Sequence, residues 1–283
     1  MSQRNIGSSI LGLAASLVWL TGCVTGARMQ ALPPASPPAP TPAATPTYLL
    51  ASQADMLRLL APPPALNSQA QRDDLTAVIE AQRSAHADGS LAHAVADAEL
   101  SCARVGDVLG DGTVVGRDPQ VLALLNESAR EAASLIGPAK NFYRRTRPFA
   151  FSSEVEGLAD VAPAAHPSAE TRRLDTGASL MSGMTADMAH SSYPSGHATF
   201  GTVCAILLAD MVPEQRAALF ARGLDYAHSR MVVGAHFPTD LEGGRLTGTV
   251  AAELLMQNPR FQHDFALARS SLRATLGLPA GAP

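Results

Sequence analysis

Apolar positions recur at three- and four-residue intervals over most of the chain beyond residue 66, and this spacing predicts helices. Leu75, Val78 and Ile79 share one face of a segment that Asn67 or Ser68 can cap and that Asp88-Gly89-Ser90 ends near Ala87. A second amphipathic pattern covers 91–108, and Gly110-Asp111-Gly112 is a turn. Pro119 opens a third helix over 120–136, Gly137-Pro138 makes a kink or a join, and helix continues over 139–146. Only Gly112-Thr113-Val114-Val115 is β-prone, and it is short. The pattern weakens over 149–190, which predicts a long loop with one short helix. Helical spacing then resumes over 198–211, 213–233, 238–257 and 259–276, several of these stretches opening with a proline where a helix tolerates one. The expectation is an all-α fold, a single compact multi-helix domain over 48–283.

The first 47 residues follow another pattern. Arg4 precedes a mostly apolar run, Ile6 to Leu20, too short for a comfortable membrane span. It ends at Leu20-Thr21-Gly22-Cys23, which resembles a bacterial lipoprotein box. That resemblance implies a signal peptide over 1–22 and lipidation of Cys23. Val24, rather than Asp, follows the cysteine, which by the same resemblance favours the outer membrane, so the protein is expected in the periplasm on a lipid anchor. Residues 23–47 form a Pro/Ala-rich linker of extended, polyproline II character.

Composition narrows the partners. The chain has 283 residues and a formal net charge of −4, so neither nucleic acid nor an anionic membrane surface is an expected partner. An anion site must therefore be a local gathering of Arg and Lys. Beyond Cys23 the cysteines are Cys102 and Cys204, both in helical patterns where a small buried thiol is the commoner outcome. In an oxidising compartment their pairing stays open, as does the oligomeric state.

Three segments carry chemistry. Ser191-Ser192-Tyr193-Pro194-Ser195-Gly196-His197 runs straight into a helix, with Ser195 as N-cap and His197 in the first turn. Such a start offers free N–H groups to an anion, and a histidine there can move a proton. Lys140, Arg144 and Arg147, spaced by four and three, share one face if the helix continues. Arg230 falls near one helix end, and His236 precedes Pro238 and Asp240 at the next helix start. Each residue alone also fits an ordinary capped helix or a solvated basic face. Arg144 and Arg145 are expected to be structural or rim charges, and His190 and His228 to be surface or partly buried groups beside the motifs. No zinc spacing, Walker loop or nucleotide-binding glycine pattern is present, so no metal or cofactor is expected.

Together, Lys-x6-Arg-Pro, Pro-Ser-Gly-His and Ser-Arg-x5-His-x3-Asp resemble the signature of the type 2 phosphatidic acid phosphatase superfamily, which includes bacterial class A non-specific acid phosphatases and vanadium haloperoxidases. Ala139-Lys140, Ser192-Tyr193-Pro194 and Arg222-Gly223 look most like the class A acid phosphatases, and the similarity spans roughly 62–276. The resemblance implies a metal-independent acid phosphatase acting on small phosphomonoesters, with phosphotransfer to alcohols. It implies His236 as nucleophile forming a phosphohistidine, Asp240 as its orienter and His197 as general acid. Lys140, Arg147, Ser195, Gly196 and Arg230 would bind the phosphate. Spacing alone does not separate the two histidine roles, although Asp240 lies four residues from His236. The alternatives are a vanadate-dependent haloperoxidase on the same cradle, a membrane lipid phosphatase, disfavoured for want of long apolar spans, and a non-catalytic surface lipoprotein.

Overall fold

The computed structural model describes residues 47–163 and 188–280. The expected signal peptide, Cys23, the linker up to residue 46 and residues 164–187 of the long loop lie outside the described residues. The main helices are α1 (Gln69–Asp88), α2 (Pro119–Ser134), α3 (Gly137–Tyr143), α4 (Gly196–Met211), α5 (Arg216–Val232), α6 (Pro238–Met256) and α7 (Pro259–Thr275). There is no strand among the described residues.

Side-chain caps set most of the helix starts. Ser68 Oγ accepts from the Gln71 amide at 3.1 Å, Asp118 accepts from Gln120 and Val121 at 3.1 Å, and Asn258 accepts from Arg260 at 2.9 Å. Pro119, Pro238 and Pro259 occupy first-turn positions, where the missing N–H costs nothing. Gly89, at φ 80°, closes α1 in the left-handed conformation.

Helix α4 is the axis of the domain. Thirteen of its 16 residues are buried, so it is apolar all round and must be enclosed on every side. It packs most extensively on α5 and α6 and then on α2. Phe200, Val203, Leu207 and Leu208 join Leu125, Tyr226, Leu255 and Phe261 in the main core. A smaller core of Val78, Ala81, Val233 and Phe237 ties α1 to the turn before α6.

Several expectations are corrected. The 91–108 helix is broken into Leu91–Ala96, Cys102–Val105 and a 3-10 turn at Gly106–Val108. Asp97 is drawn into a buried ion cluster with Arg222 and Arg104, at 2.7 and 2.9 Å, and Ser101 turns extended to cap the next segment. The β-prone 112–115 stretch leads into a helical turn, Val114–Arg117, because both valines are buried in the core. The helix expected over 139–146 stops at Tyr143, where Arg144 takes φ 44°. Lys140, Arg144 and Arg147 therefore do not share a helix face: Arg144 is exposed while the other two are buried. The pairing left open for Cys102 and Cys204 is made: they are joined as a disulfide, with Cα atoms 5.3 Å apart across a sequence separation of 102.

Candidate active site

The left-handed turn at Arg144 brings Lys140 and Arg147 together by a different route from the one expected. Lys140 Nζ donates to the Ser191 carbonyl, and Arg147 Nη2 lies 3.3 Å from Ser191 Oγ. Both side chains are almost wholly buried, at 2% and 1% exposure, which aqueous cations tolerate only with partners or an anion. Arg147 Nη1 also donates to the Ala235 carbonyl at 3.1 Å and lies 3.4 Å from His236 Nε2.

His236 reaches this point from the α5–α6 turn. Gly234, at φ 63°, makes the reversal; a Cβ there would lie 2.2 Å from the Glu156 carbonyl oxygen, so no other residue fits. The Arg230 carbonyl, in the last turn of α5, accepts the Ala235 amide at 2.9 Å and the His236 amide at 3.3 Å. Arg230 is itself 2% exposed. The main chain thus couples the third motif's arginine to its histidine.

The His236 ring is fully buried, with Nδ1 3.7 Å from Asp240 Oδ2. That distance is electrostatic contact rather than a full hydrogen bond. Because Asp240 only accepts, the tautomer that suits the pair carries its proton on Nδ1 and leaves the Nε2 lone pair toward Arg147. Burial, and then the Arg147 cation, lower the imidazole from its ordinary 6.5 to about 3, so it is neutral above that pH. Burial works against charge on Asp240, but His236 and the Arg145 guanidinium outweigh it and keep the carboxyl below 3.8. Asp240 Oδ2 accepts from Ser192 Oγ at 2.6 Å and from the Phe237 amide at 2.8 Å, and Oδ1 accepts from Arg145 at 2.6 Å.

The second motif docks on the same carboxylate residue. The Ser195 amide donates to the Asp240 carbonyl at 2.9 Å, and Ser195 Oγ accepts from the Ala198 amide at 3.2 Å. The Ser195 N–H, expected as an anion donor, is therefore occupied. Gly196 is the first helical residue and its amide has no helical acceptor, and the Ser195 hydroxyl retains its own hydrogen for donation. His197 is fully buried, stacks on Tyr226 with ring centroids 5.9 Å apart, and has Nε2 3.0 Å from the Ala98 carbonyl. A carbonyl can only accept, so Nε2 carries a proton.

Gly244 lets α4 and α6 approach closely enough for these contacts, since a Cβ there would sit 2.4 Å from the Ser195 carbonyl oxygen. His190 and His228 are exposed, and His228 lines a surface groove with Leu224, Met231 and Arg245. His93, Asp97 and Asp225 bring ligand-type atoms within 4.8 Å of one another. Arg222 already donates to both carboxylates there, at 3.0 and 3.2 Å, which places a cation where a metal would go. Arg145, expected as a structural or rim charge, is a buried structural one paired with Asp74 and Asp240; sequence reasoning missed the contacts of Ser191, Ser192 and Asp74. Ser192 had a signal in its place beside Tyr193-Pro194; Asp74, in the middle of an amphipathic helix, had none.

An all-helical scaffold folds three separate segments together and gathers a buried His–Asp pair with the buried cations Lys140 and Arg147. The chain belongs to the PAP2 superfamily, whose profile matches residues 122–264. It is similar to a non-specific acid phosphatase of Providencia stuartii, 29% identical over 228 residues, 78% of this chain and 83% of that protein. It is also similar to an acid phosphatase of Zymomonas mobilis, 29% identical over 231 residues, 77% of this chain and 76% of that protein. A non-specific acid phosphatase of Salmonella typhimurium is 32% identical over 134 residues, 47% of this chain and 45% of its own length.

Proposed function

We propose that this chain is an acid phosphatase that hydrolyses small phosphomonoesters through a phosphohistidine at His236, without a metal ion. The observation that carries the reading is the buried His236 ring, with Nε2 3.4 Å from Arg147 and Nδ1 3.7 Å from Asp240. Lys140, Arg147 and Arg230 supply the positive charge that the three equatorial phosphoryl oxygens require. The Gly196 amide and the Ser195 hydroxyl add neutral donors.

In the first step His236 Nε2 forms a bond to phosphorus, the bond from phosphorus to the ester oxygen breaks, and His197 gives its proton to the departing oxygen. The positive charge that appears on the imidazole is stabilised by Asp240. In the second step water attacks phosphorus and yields a proton to His197, the P–N bond breaks, and inorganic phosphate leaves with His236 neutral again. An alcohol in place of water gives phosphotransfer. His236 must be neutral while His197 is protonated, and the depressed pKa of His236 suits that requirement at acidic pH.

The test is rapid acid-free quenching after mixing with radiolabelled aryl phosphate, in EDTA. The expected result is label on His236, stable to alkali and labile to acid, and no turnover in His236→Ala. Full activity of His236→Ala, or loss of activity in EDTA, overturns the reading. Halide oxidation with peroxide and vanadate would instead favour the haloperoxidase alternative. For location, we propose a periplasmic lipoprotein held through Cys23; incorporation of labelled palmitate that persists in Cys23→Ala would refute the anchor.

A further inference from the structure

Arg145 lies two residues before Arg147, yet its partners are different: residues of α1 and of the first turn of α6. It is buried, at 6% exposure. Its two terminal nitrogens each hold two acceptors. Nη1 donates to Asp240 Oδ1 at 2.6 Å and to Thr239 Oγ1 at 2.7 Å. Nη2 donates to Asp74 Oδ2 at 2.6 Å and to Gln71 Oε1 at 2.7 Å. The guanidinium also lies 4.3 Å over the ring of Phe237, the residue next to His236. Asp74 in turn accepts from the Thr239 hydroxyl and, at 3.3 Å, from its amide.

We propose that Arg145 is a positioning residue for catalysis, which, clamped by Asp74 and Gln71 of α1, fixes the orientation and charge of Asp240 and through it the nucleophile. The proposal rests on the reading of His236 as nucleophile. Asp240 Oδ1 is pinned by Arg145 while Oδ2 is shared among Ser192, Phe237 and the imidazole, so the carboxylate plane has one orientation only. Asp74, Arg145 and Asp240 sum to one negative charge next to a neutral imidazole. When His236 takes up the phosphoryl group and becomes cationic, that negative charge is already in place and no other group has to move. Without α1 the fork would have only half its acceptors, so a helix far from the motifs in sequence is part of the apparatus.

A purely structural ion pair would change stability and leave the catalytic pH profile alone. The groups facing the pair are Lys140 and Arg147 on the His236 side, and Arg145 and Ser192 on the Asp240 side. Two variants test the two halves of the claim. Arg145→Lys keeps the charge and loses the planar fork. It should lower kcat/KM for p-nitrophenyl phosphate by about tenfold to a hundredfold, the usual cost of losing an outer orienting partner, while competitive inhibition by inorganic phosphate stays within about twofold. Asp74→Asn removes one buried negative charge while keeping shape, so it should reduce kcat and move the acidic limb of the kcat/KM profile to lower pH. Asp240→Asn in the Arg145→Lys background should cost little more than Asp240→Asn alone. A kcat/KM within about threefold of the parent in Arg145→Lys, or an unmoved acidic limb in folded Asp74→Asn, overturns the proposal. Circular dichroism melts identify any variant that has not folded, and the Asp74→Asn limb then decides. His236→Ala separates the two readings: if it is inactive while Arg145→Lys is normal, only the positioning role falls.

Discussion

Replacing Gly244 by Ala puts the packing argument to a test in which helix propensity and structure predict opposite outcomes. Gly244 lies inside α6, where alanine should stabilise by roughly 1 kcal/mol on propensity alone. The structure leaves no room for the methyl group. A Cβ would sit 2.4 Å from the Ser195 carbonyl oxygen, 2.8 Å from Ala198 Cβ and 3.1 Å from the Thr199 nitrogen, where ordinary contact begins near 3.4 Å. Two of these atoms are backbone, so no side chain can swing aside, and α4 and α6 must separate by roughly 1 Å in a close-packed interior. Overpacking of this kind costs about 1–3 kcal/mol, which cancels or exceeds the propensity gain. Catalysis should suffer more than stability. The Ser195 amide to Asp240 carbonyl bond, 2.9 Å long, crosses the same interface and sets the second motif against the third. A displacement near 1 Å at a reacting centre can cost about a hundredfold in rate. The assay is kcat/KM for an aryl phosphate beside a thermal melt, with Gly116→Ala as control. Gly116 is exposed and its Cβ would meet only Ala103 Cβ, at 3.8 Å, so that variant should keep full activity and gain up to about 1 kcal/mol. A Gly244→Ala protein with a raised Tm and a kcat/KM within threefold of the parent would refute the reasoning.

Other perturbations bear on separate links. The Cys102–Cys204 bond closes a loop with a sequence separation of 102. Removing it in Cys102→Ala/Cys204→Ala should destabilise by up to about 4.7 kcal/mol and lower Tm by up to roughly 10–20 °C, read by calorimetry; an unchanged Tm would mean that the bond does not constrain the chain. Stability should also depend on pH through His236, whose folded pKa lies below the ordinary 6.5. The unfolded imidazole then takes up a proton that the folded one does not, so stability is complete above about pH 6.5 and falls as pH drops, by up to about 1.4 kcal/mol per pH unit, until the folded value is reached. Urea melts in phosphate-free buffer should show this slope in the parent and a flatter one in His236→Gln. Activity should peak at acidic to near-neutral pH, and a maximum above about pH 9, where a histidine of ordinary pKa is deprotonated, would rule out His197 as the acid. Asp240→Asn should lower kcat by several powers of ten while leaving phosphate inhibition nearly intact, because the asparagine cannot stabilise the cationic imidazole.

The linear sequence was enough for most of the long helices and for where the three motifs fall along the chain. Caps at Ser68 and Ser195, prolines at the first turns of α2, α6 and α7, and three- to four-residue apolar spacing are local instructions, acting within one or two turns of the residues that carry them. What only the tertiary structure decided is how those segments meet. Among Arg144, Arg145 and Arg147, nothing local says which faces solvent, which binds an acidic clamp and which meets the histidine. Arg145 is selected by Asp74, 71 residues away, and Asp240, 95 residues away, and the left-handed turn at Arg144 is what lets its neighbours diverge. The same holds for the broken 91–108 helix, whose Asp97 bonds Arg222 at a separation of 125, and for the cysteine pair. Buried charges and crosslinks are placed by partners that are distant in sequence, because removing a charge from water is tolerable only where those partners have already converged.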